Sequence, residues 1–149
     1  MMKVISWNVI GLNGKSKHPI LKNNLSKEEL DIMLIEETKC THDSQRQIVN
    51  IFWIHFDLLI QCSIGELRGL TIIWNPSTII LKDSFSLPRI LLSRFQPIGA
   101  SQCGFISNVY GPNSPLDKQY FISNISSIAC LVGPSHLILG RDFNMIHSL

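Results

Sequence analysis

The stretch 137–145, LILGRDFNM, is the part of the sequence that decides the predicted fold. Its first three residues are apolar, as in a short buried strand, and Gly140 ends the run. Asp142 and Asn144 follow two residues apart, so both side chains leave an extended backbone on the same side. A carboxylate and an amide at the carboxyl end of a buried strand often build a metal or phosphate site. The stretch therefore predicts a buried strand with a polar site at its carboxyl end.

Three other predicted strands end in a similar way. The segment 31–39, DIMLIEETK, carries a continuous apolar run, which is typical of a strand covered on both faces, and the run stops at Glu36 and Glu37. Neighbouring residues on a strand point in opposite directions, so only one of these glutamates serves a given site. The other two strands are 3–9, which contains Asn8, and 103–110, which ends at Tyr110.

The polar residues at these strand ends are ambiguous when they are taken singly. Asn8 fits a loop amide that caps local backbone, and Tyr110 fits a core ring with its hydroxyl at the rim. Taken together, they belong to a set of oxygen donors without histidine or cysteine, which suits Mg²⁺ or Mn²⁺ and not zinc. The set is Asn8, Glu37, Tyr110, Asn113, Asp142 and Asn144. It predicts metal-assisted attack of water on a phosphate ester.

The rest of the chain alternates between helical and strand patterns. Helices are predicted over 18–30, 43–56 and 115–131, the last with Ser114 as its N-cap. Short strands are predicted over 58–61, 70–74, 79–82 and 90–95, separated by turn residues. Strands this close together pair as antiparallel hairpins, so we expect mixed or antiparallel sheets with flanking helices.

Length and composition set the broad class. The 149 residues suffice for one domain, and 45% hydrophobic with 16% charged residues is typical of a folded core. A formal net charge of +2 neither identifies nor excludes a nucleic-acid binder. The four cysteines form no C-x-x-C pair, and no apolar run reaches the ~18 residues of a membrane span. We therefore expect free thiols and an intracellular protein, in the nucleus or cytoplasm, without membrane contact.

Five segments of the sequence together resemble the endonuclease/exonuclease/phosphatase superfamily, which shares its fold with deoxyribonuclease I. Within that superfamily they are most similar to the endonuclease domain of plant non-LTR (LINE-type) retrotransposon polyproteins. The segments are SWNVIGLNG (6–14), LDIMLIEETK (30–39), GLTIIWNP (69–76), NVYGPN (108–113) and LILGRDFNMI (137–146). They follow the family's order and spacing across nearly the whole chain, which makes the resemblance much stronger than any single segment does.

The resemblance implies a four-layer α/β sandwich of the deoxyribonuclease I type, of which this chain is the amino-terminal part. The family's second half adds further strands and a late Ser-Asp-His motif, and His147 does not match that motif. We therefore expect one carboxyl-truncated domain over 1–149, forming a partial sandwich. We also expect an exposed sheet face where the second half packs.

The resemblance also assigns roles to the residues at the strand ends. Glu37 resembles the metal-binding glutamate of the family, and Asn8 resembles its neighbour in the metal shell. Asp142 resembles the aspartate that orients or deprotonates the attacking water. Asn144 resembles the amide that holds the phosphate or the nucleophile.

The remaining pair, Tyr110 and Asn113, resembles the residues that contact the scissile phosphate and support the site.

The chain departs from the family's pattern at Ile10, Glu36, Arg68 and Arg141. Family members usually carry arginine at the position of Ile10, glutamine at the position of Glu36, and glycine at the positions of Arg68 and Arg141. Arg141 lies beside Asp142, where it either crowds the metal pocket or points to the other face.

The function implied by the resemblance is Mg²⁺-dependent hydrolysis of DNA phosphodiester bonds, with Mn²⁺ as the alternative metal and no small-molecule cofactor. The implied partners are DNA, bound weakly and in a salt-dependent way, and the reverse transcriptase region of a longer parent polyprotein. Two alternatives stay open. One is a non-catalytic retroelement remnant or binding module, and the other is a phosphatase or phosphodiesterase of the same superfamily acting on phosphoinositides or sphingolipids.

Overall fold

The computed structural model describes residues 2–9, 18–19, 29–39, 41–52, 55–62 and 69–142, and two four-stranded sheets form its centre. The first, sheet A, has the strand order β1-β2-β4-β3. Its strands are β1 (Val4–Asn8), β2 (Ile32–Glu36), β3 (Asp57–Gln61) and β4 (Leu70–Trp74), and helix α1 (His42–Phe52) lies between β2 and β3 in sequence. Because β1 and β2 are parallel while β4 is antiparallel to both of its neighbours, sheet A is mixed, as predicted.

The second sheet, sheet B, has the strand order β5-β6-β7-β8. Its strands are β5 (Ile79–Leu87), β6 (Ile90–Pro97), β7 (Gly104–Tyr110) and β8 (Leu137–Asp142). β5, β6 and β7 are antiparallel, whereas β7 and β8 are parallel and are connected through helix α2 (Pro115–Val132). The helix predicted over 18–30 falls largely outside the described residues.

The two sheets pack face to face, and the strand alternation of β2 shows how. Leu34 points into the core between the sheets, where it meets residues such as Ile72 of β4 and Phe95 of β6. Its neighbour Ile35 points the other way and packs against Val49 of α1. The continuous apolar run of β2 is therefore explained by burial on both faces, as the sequence predicts.

Helix α2 covers the outer face of sheet B. Its apolar stripe consists of Phe121, Ile125, Ile128 and Val132, packed against β6 and β7. The hydroxyl of Ser114 accepts a hydrogen bond from the backbone N–H of Asp117 at 3.2 Å, which confirms the predicted N-cap. Gly133 ends the helix with a positive φ of 58°. The layers are thus α1, sheet A, sheet B and α2, which is a four-layer α/β sandwich.

The expected exposed sheet face stays a prediction, because the large exposed apolar side chains of the two sheets, among the described residues, lie on the edge strands β5 and β8. The chain supplies both sheets itself, so their inner faces bury each other. Within the described ranges, the outer edges of β1 and β8 have no neighbouring strand. Ile138 and Leu139 of β8 are each 38% exposed, so the strand predicted to be buried is instead an edge strand. An apolar run indicates a strand without showing what lies beside it.

The predicted hairpins are found at two places and fail at a third. β3 pairs with β4 and β5 pairs with β6, both antiparallel. β4 and β5 do not pair, because the chain crosses from sheet A to sheet B at the turn after Trp74. Trp74 before this turn and Ile79 after it both lie in the core between the sheets. The turn therefore changes layer instead of continuing one sheet.

Two expectations from composition concern the thiols and the membrane. Cys62, Cys103 and Cys130 are free, as expected, and Cys40 lies outside the described residues. None of the helices in the described part of the chain is long and apolar enough to cross a membrane.

Candidate functional site

The carboxyl ends of four strands meet at one end of the sandwich. In sheet A, Asn8 at the end of β1 is in register with Glu36 at the end of β2. In sheet B, Tyr110 at the end of β7 is in register with Asp142 at the end of β8. The Tyr110 hydroxyl reaches Glu37, the residue after β2, and so joins the ends of the two sheets.

The Glu37 carboxylate lies at the centre of this end. Its Oε1 accepts a hydrogen bond from the Tyr110 hydroxyl at 2.7 Å and one from Asn8 Nδ2 at 3.4 Å. Lys39 Nζ lies 3.6 Å from the other oxygen, Oε2. The Glu37 side chain is 13% exposed, so these contacts form in a largely buried setting that opens to solvent on one side. Groups from β1, β7 and the loop after β2 thus converge on one carboxylate.

The loop that carries Glu37 has an unusual backbone. Glu37 and Lys39 have positive φ angles of 55° and 49°, a conformation that side-chain-bearing residues seldom adopt. Between them, Thr38 is fully buried and its N–H donates to the Gly69 carbonyl at 3.3 Å. A Cβ at Gly69 would overlap the Thr38 hydroxyl, so a glycine is required at this approach. Strained backbone of this kind clusters at functional sites.

The two adjacent glutamates have different surroundings. Glu36, the last residue of β2, is only 1% exposed, and its Oε1 accepts a hydrogen bond from the Ser6 hydroxyl at 2.8 Å. Glu37 follows the strand and contacts Tyr110 and Asn8 instead. Glu37 is thus the glutamate whose described contacts include Tyr110 and Asn8, and the prediction that only one of the two serves the site stays a prediction.

Arg89 is a residue of this end that the sequence analysis missed. It lies in the turn between β5 and β6 with a positive φ of 63°, and its backbone carbonyl accepts the Tyr110 N–H at 3.0 Å. Its guanidinium carbon is 5.9 Å from the centre of the Tyr110 ring, within cation–π range. No local sequence signal connects this turn to Tyr110, because the two meet only through the pairing of β6 with β7. Together with Lys39, Arg89 surrounds the Glu37–Tyr110 pair with positive charge that suits an anionic ligand.

The other predicted site residues are placed less completely. The backbone of Asp142 lies beside Tyr110 in the β7–β8 ladder, but its side chain is outside the description, as is all of Asn144. Asn113 is exposed in the turn between β7 and α2, and the described hydrogen bonds of Glu37 do not include it. The structure thus brings together Asn8, Glu37 and Tyr110. The chemical roles of all six residues stay predictions.

The donors at this end fit a hard divalent cation. A carboxylate and an amide are oxygen ligands of the kind that Mg²⁺ takes. Within the described ranges, no cluster of three or more histidine, cysteine, aspartate or glutamate residues could hold a metal. Mg²⁺ needs no such cluster, because it commonly uses one or two carboxylates and completes its shell with waters and phosphate oxygens.

No protein-family model and no curated protein matches this sequence. Among solved structures, the human Nocturnin catalytic domain with bound sulfate anion matches with a TM-score of 0.77 at 11% identity, over 97% of this chain and 64% of that chain. A 3′ phosphatase, NExo, from Neisseria bound to a product DNA hairpin matches with a TM-score of 0.71 at 22% identity, over 97% and 58%. An endonuclease/exonuclease/phosphatase family protein from Bacteroides thetaiotaomicron matches with a TM-score of 0.72 at 12% identity, over 96% and 62%.

The chain spans less than two thirds of the length of each of these three structures. At identities this low, the likeness is one of fold. The two packed sheets with α1 and α2 outside them therefore form the deoxyribonuclease I-like fold of the endonuclease/exonuclease/phosphatase proteins.

Proposed function

We propose that this chain carries a metal-dependent site that hydrolyses DNA phosphodiester bonds, as in the LINE-type retrotransposon endonucleases that the sequence resembles. One observation carries the proposal: Glu37 Oε1 receives both the Tyr110 hydroxyl at 2.7 Å and Asn8 Nδ2 at 3.4 Å. These three residues come from separate segments of the resemblance. Their meeting on one carboxylate, in a fold shared with phosphate-ester hydrolases, supports a common role.

Glu37 and Asn8 are the residues that would hold Mg²⁺, with Mn²⁺ as the alternative metal. When bound there, the cation supplies Lewis-acid stabilisation of negative charge on a phosphoryl oxygen. Tyr110 donates its hydroxyl hydrogen bond to Glu37 and so fixes the orientation of that carboxylate. Groups that are already oriented need not reorganise as charge develops in the transition state.

The proposed reaction is a hydrolysis by water. The water oxygen forms a bond to phosphorus while the bond from phosphorus to the 3′ oxygen breaks, leaving a 5′-phosphate and a 3′-hydroxyl. Asp142, whose backbone is level with Tyr110, takes the proton of the attacking water, and the leaving oxygen takes a proton from solvent. Asn144 and Asn113 keep the phosphate-contacting roles that the resemblance implies.

Binding of the DNA backbone would use the two cations around the site. Lys39 lies 3.6 Å from Glu37 Oε2, and Arg89 stacks on the Tyr110 ring at 5.9 Å. With a formal net charge of only +2 on the whole chain, we expect weak binding that falls with added salt. A reverse transcriptase region as a partner rests on the resemblance alone.

The test is nicking of supercoiled plasmid by the purified chain, with Mg²⁺ and with a chelator. We expect Mg²⁺-dependent nicking that is lost in Asp142→Ala. Glu36→Gln is the matched control, because a glutamine at this position still accepts the Ser6 hydrogen bond, and it should nick like wild type.

Absence of nicking by a chain that circular dichroism shows to be folded would contradict the proposal. It would favour the alternative of a non-catalytic retroelement remnant. Release of phosphate from a 3′-phosphorylated oligonucleotide, without nicking, would contradict it in favour of a phosphatase.

A further inference from the structure

A set of buried hydrogen bonds lies directly behind the Glu37–Tyr110 contact. Asn108 of β7 is fully buried, and its Nδ2 donates to the backbone carbonyls of Ile35 at 2.9 Å and Thr71 at 3.0 Å. Both carbonyls belong to sheet A, whereas Asn108 belongs to sheet B. The Asn108 amide is therefore a polar link between the two sheets.

The same set continues through helix α1 and returns to the loop of Glu37. The Thr71 hydroxyl donates to Gln45 Oε1, and Gln45 Nε2 donates to the Thr38 hydroxyl at 3.0 Å. Thr38, Gln45 and Thr71 are each at most 1% exposed. Thr38 directly follows Glu37 in the chain. The set thus connects the strand that carries Tyr110 with the loop that carries Glu37.

The geometry of the site depends on how the two sheets sit on each other. Backbone ladders fix the strands within each sheet, but Glu37 and Tyr110 belong to different sheets. Apolar packing between the sheets is non-directional, whereas hydrogen bonds require defined distances and angles. Asn108 lies two residues before Tyr110, and its acceptor Ile35 lies two residues before Glu37. Its hydrogen bonds therefore define the spacing between the sheets next to the site.

The Asn108 side chain is not well explained by stability alone. Its Oδ1 is buried and has no hydrogen-bond partner among the described residues. A buried acceptor without a partner destabilises a fold, and an apolar side chain at this position would avoid that penalty. The two directional bonds that Nδ2 makes across the sheets are what an apolar side chain cannot supply.

We propose that Asn108 and Gln45 are positioning residues that hold the Tyr110 hydroxyl on the Glu37 carboxylate and thereby set the affinity of the site for its divalent cation. The part that concerns the cation rests on the proposed function. The positioning of Tyr110 can be measured without any cation, so the two can fail separately.

The first readout is the Tyr110 hydrogen bond itself. The chain has two tyrosines, and Tyr120 is 69% exposed on α2. A chain with Tyr120→Phe therefore contains Tyr110 as its single tyrosine. The ¹³Cζ resonance of labelled Tyr110 then reports its contact with Glu37. We expect Asn108→Leu and Gln45→Met to move this resonance toward its position in Glu37→Ala, which lacks the acceptor of the Tyr110 hydroxyl.

The matched control is Ile106→Val. Ile106 faces the same core between the sheets from the same strand as Asn108, two residues earlier, but it takes no part in the hydrogen bonds. It should leave the resonance in place even though it removes a buried methyl group. If Asn108 served stability alone, Asn108→Leu and Ile106→Val would shift the Tyr110 resonance equally when they lose equal amounts of stability.

The second readout is the dissociation constant of Mn²⁺, measured by electron paramagnetic resonance. Residues behind a metal ligand typically change affinity by roughly 10- to 100-fold, and we expect a loss of that size in both variants and of less than about twofold in Ile106→Val. Unchanged Mn²⁺ affinity and an unshifted Tyr110 resonance in the folded variants would overturn the proposal. If Asn108→Leu does not fold, Gln45→Met decides by the same two readouts. A wild-type chain that binds no Mn²⁺ would overturn the part concerning the cation and the proposed function, while the resonance would still decide the positioning.

Discussion

The two ends of the space between the sheets differ in chemistry, although β7 and β8 reach both of them. At the carboxyl ends of β1 and β7, Asn8 and Tyr110 donate to Glu37. At the opposite end, a cavity of about 180 Å³ is lined mainly by apolar side chains, among them Met2 and Phe105. One sandwich core thus supports two ends of different chemistry. Its directional, polar contacts are concentrated at the end where the parallel strands finish.

The largest effect is expected at the polar end, from Tyr110→Phe. This change removes the hydroxyl that donates to Glu37 Oε1 and keeps the buried ring. We expect the initial rate of Mg²⁺-dependent plasmid nicking to fall by about 10- to 100-fold with the fold retained. Tyr120→Phe removes the other, exposed hydroxyl and should leave the rate unchanged. A Tyr110→Phe rate equal to wild type would show that this hydroxyl does not orient the carboxylate.

A comparison of two glycines tests how closely the sheets approach near each end. A Cβ at Gly140 would overlap the Leu34 side chain and lie 3.0 Å from the Ser6 hydroxyl, whereas at Gly104, beside the cavity, the nearest group is the His136 carbonyl at 3.7 Å. We expect Gly140→Ala to lower the free energy of unfolding by about 1–3 kcal/mol. Gly104→Ala should change it by less than about 0.5 kcal/mol. Equal losses in urea denaturation would contradict this difference in packing.

A smaller effect is expected from Arg89→Ala, which removes a positive charge from the polar end. If Arg89 contacts one DNA phosphate, its loss should reduce the slope of log affinity against log salt by about 0.9. The measurement is fluorescence anisotropy of a labelled duplex across a salt series. Lys82→Ala removes the same charge from an exposed position on the edge strand β5 and should leave the slope unchanged. An equal change of this slope in both variants would show that the net charge of the chain, and not the position of Arg89, sets the salt dependence.

The smallest effect is expected at the apolar end. Cys103 lines the cavity and takes no part in the described contacts of Glu37. Because distant sites without shared partners act independently, Cys103→Ala should keep both the nicking rate and the Mn²⁺ affinity within about twofold of wild type. A large loss in either measurement would show that the two ends are coupled.

The sequence predicts most of the secondary structure but not the neighbours of each strand. The burial of β2 on both faces and the cap of α2 at Ser114 follow from local patterns. The edge position of β8 does not, since its apolar run resembles that of β2. The change of sheet after Trp74 is equally hidden, because a short turn between strands usually predicts a hairpin.

The candidate site shows the same limit. Asn8, Glu37 and Tyr110 could be proposed from strand ends and from the resemblance, and they do converge. Gln45 and Asn108 were missed, although each interrupts an apolar pattern: Gln45 lies one turn before Ile48 and Val49 on the buried face of α1, and Asn108 shares a strand face with Ile106 and Tyr110. A polar residue at an inward position signals a buried hydrogen bond, but its partners across the sheets become known only from the packing.

The central claim is that the Glu37 carboxylate binds the cation, and the most direct measurement counts the Mn²⁺ ions bound per chain by electron paramagnetic resonance. Glu36→Gln and Glu37→Gln make the same chemical change at adjacent positions, one buried beside Ser6 and one at the site. The account predicts one tightly bound Mn²⁺ in wild type and Glu36→Gln, and its loss in Glu37→Gln. Equal binding of Mn²⁺ by Glu37→Gln and wild type would contradict it.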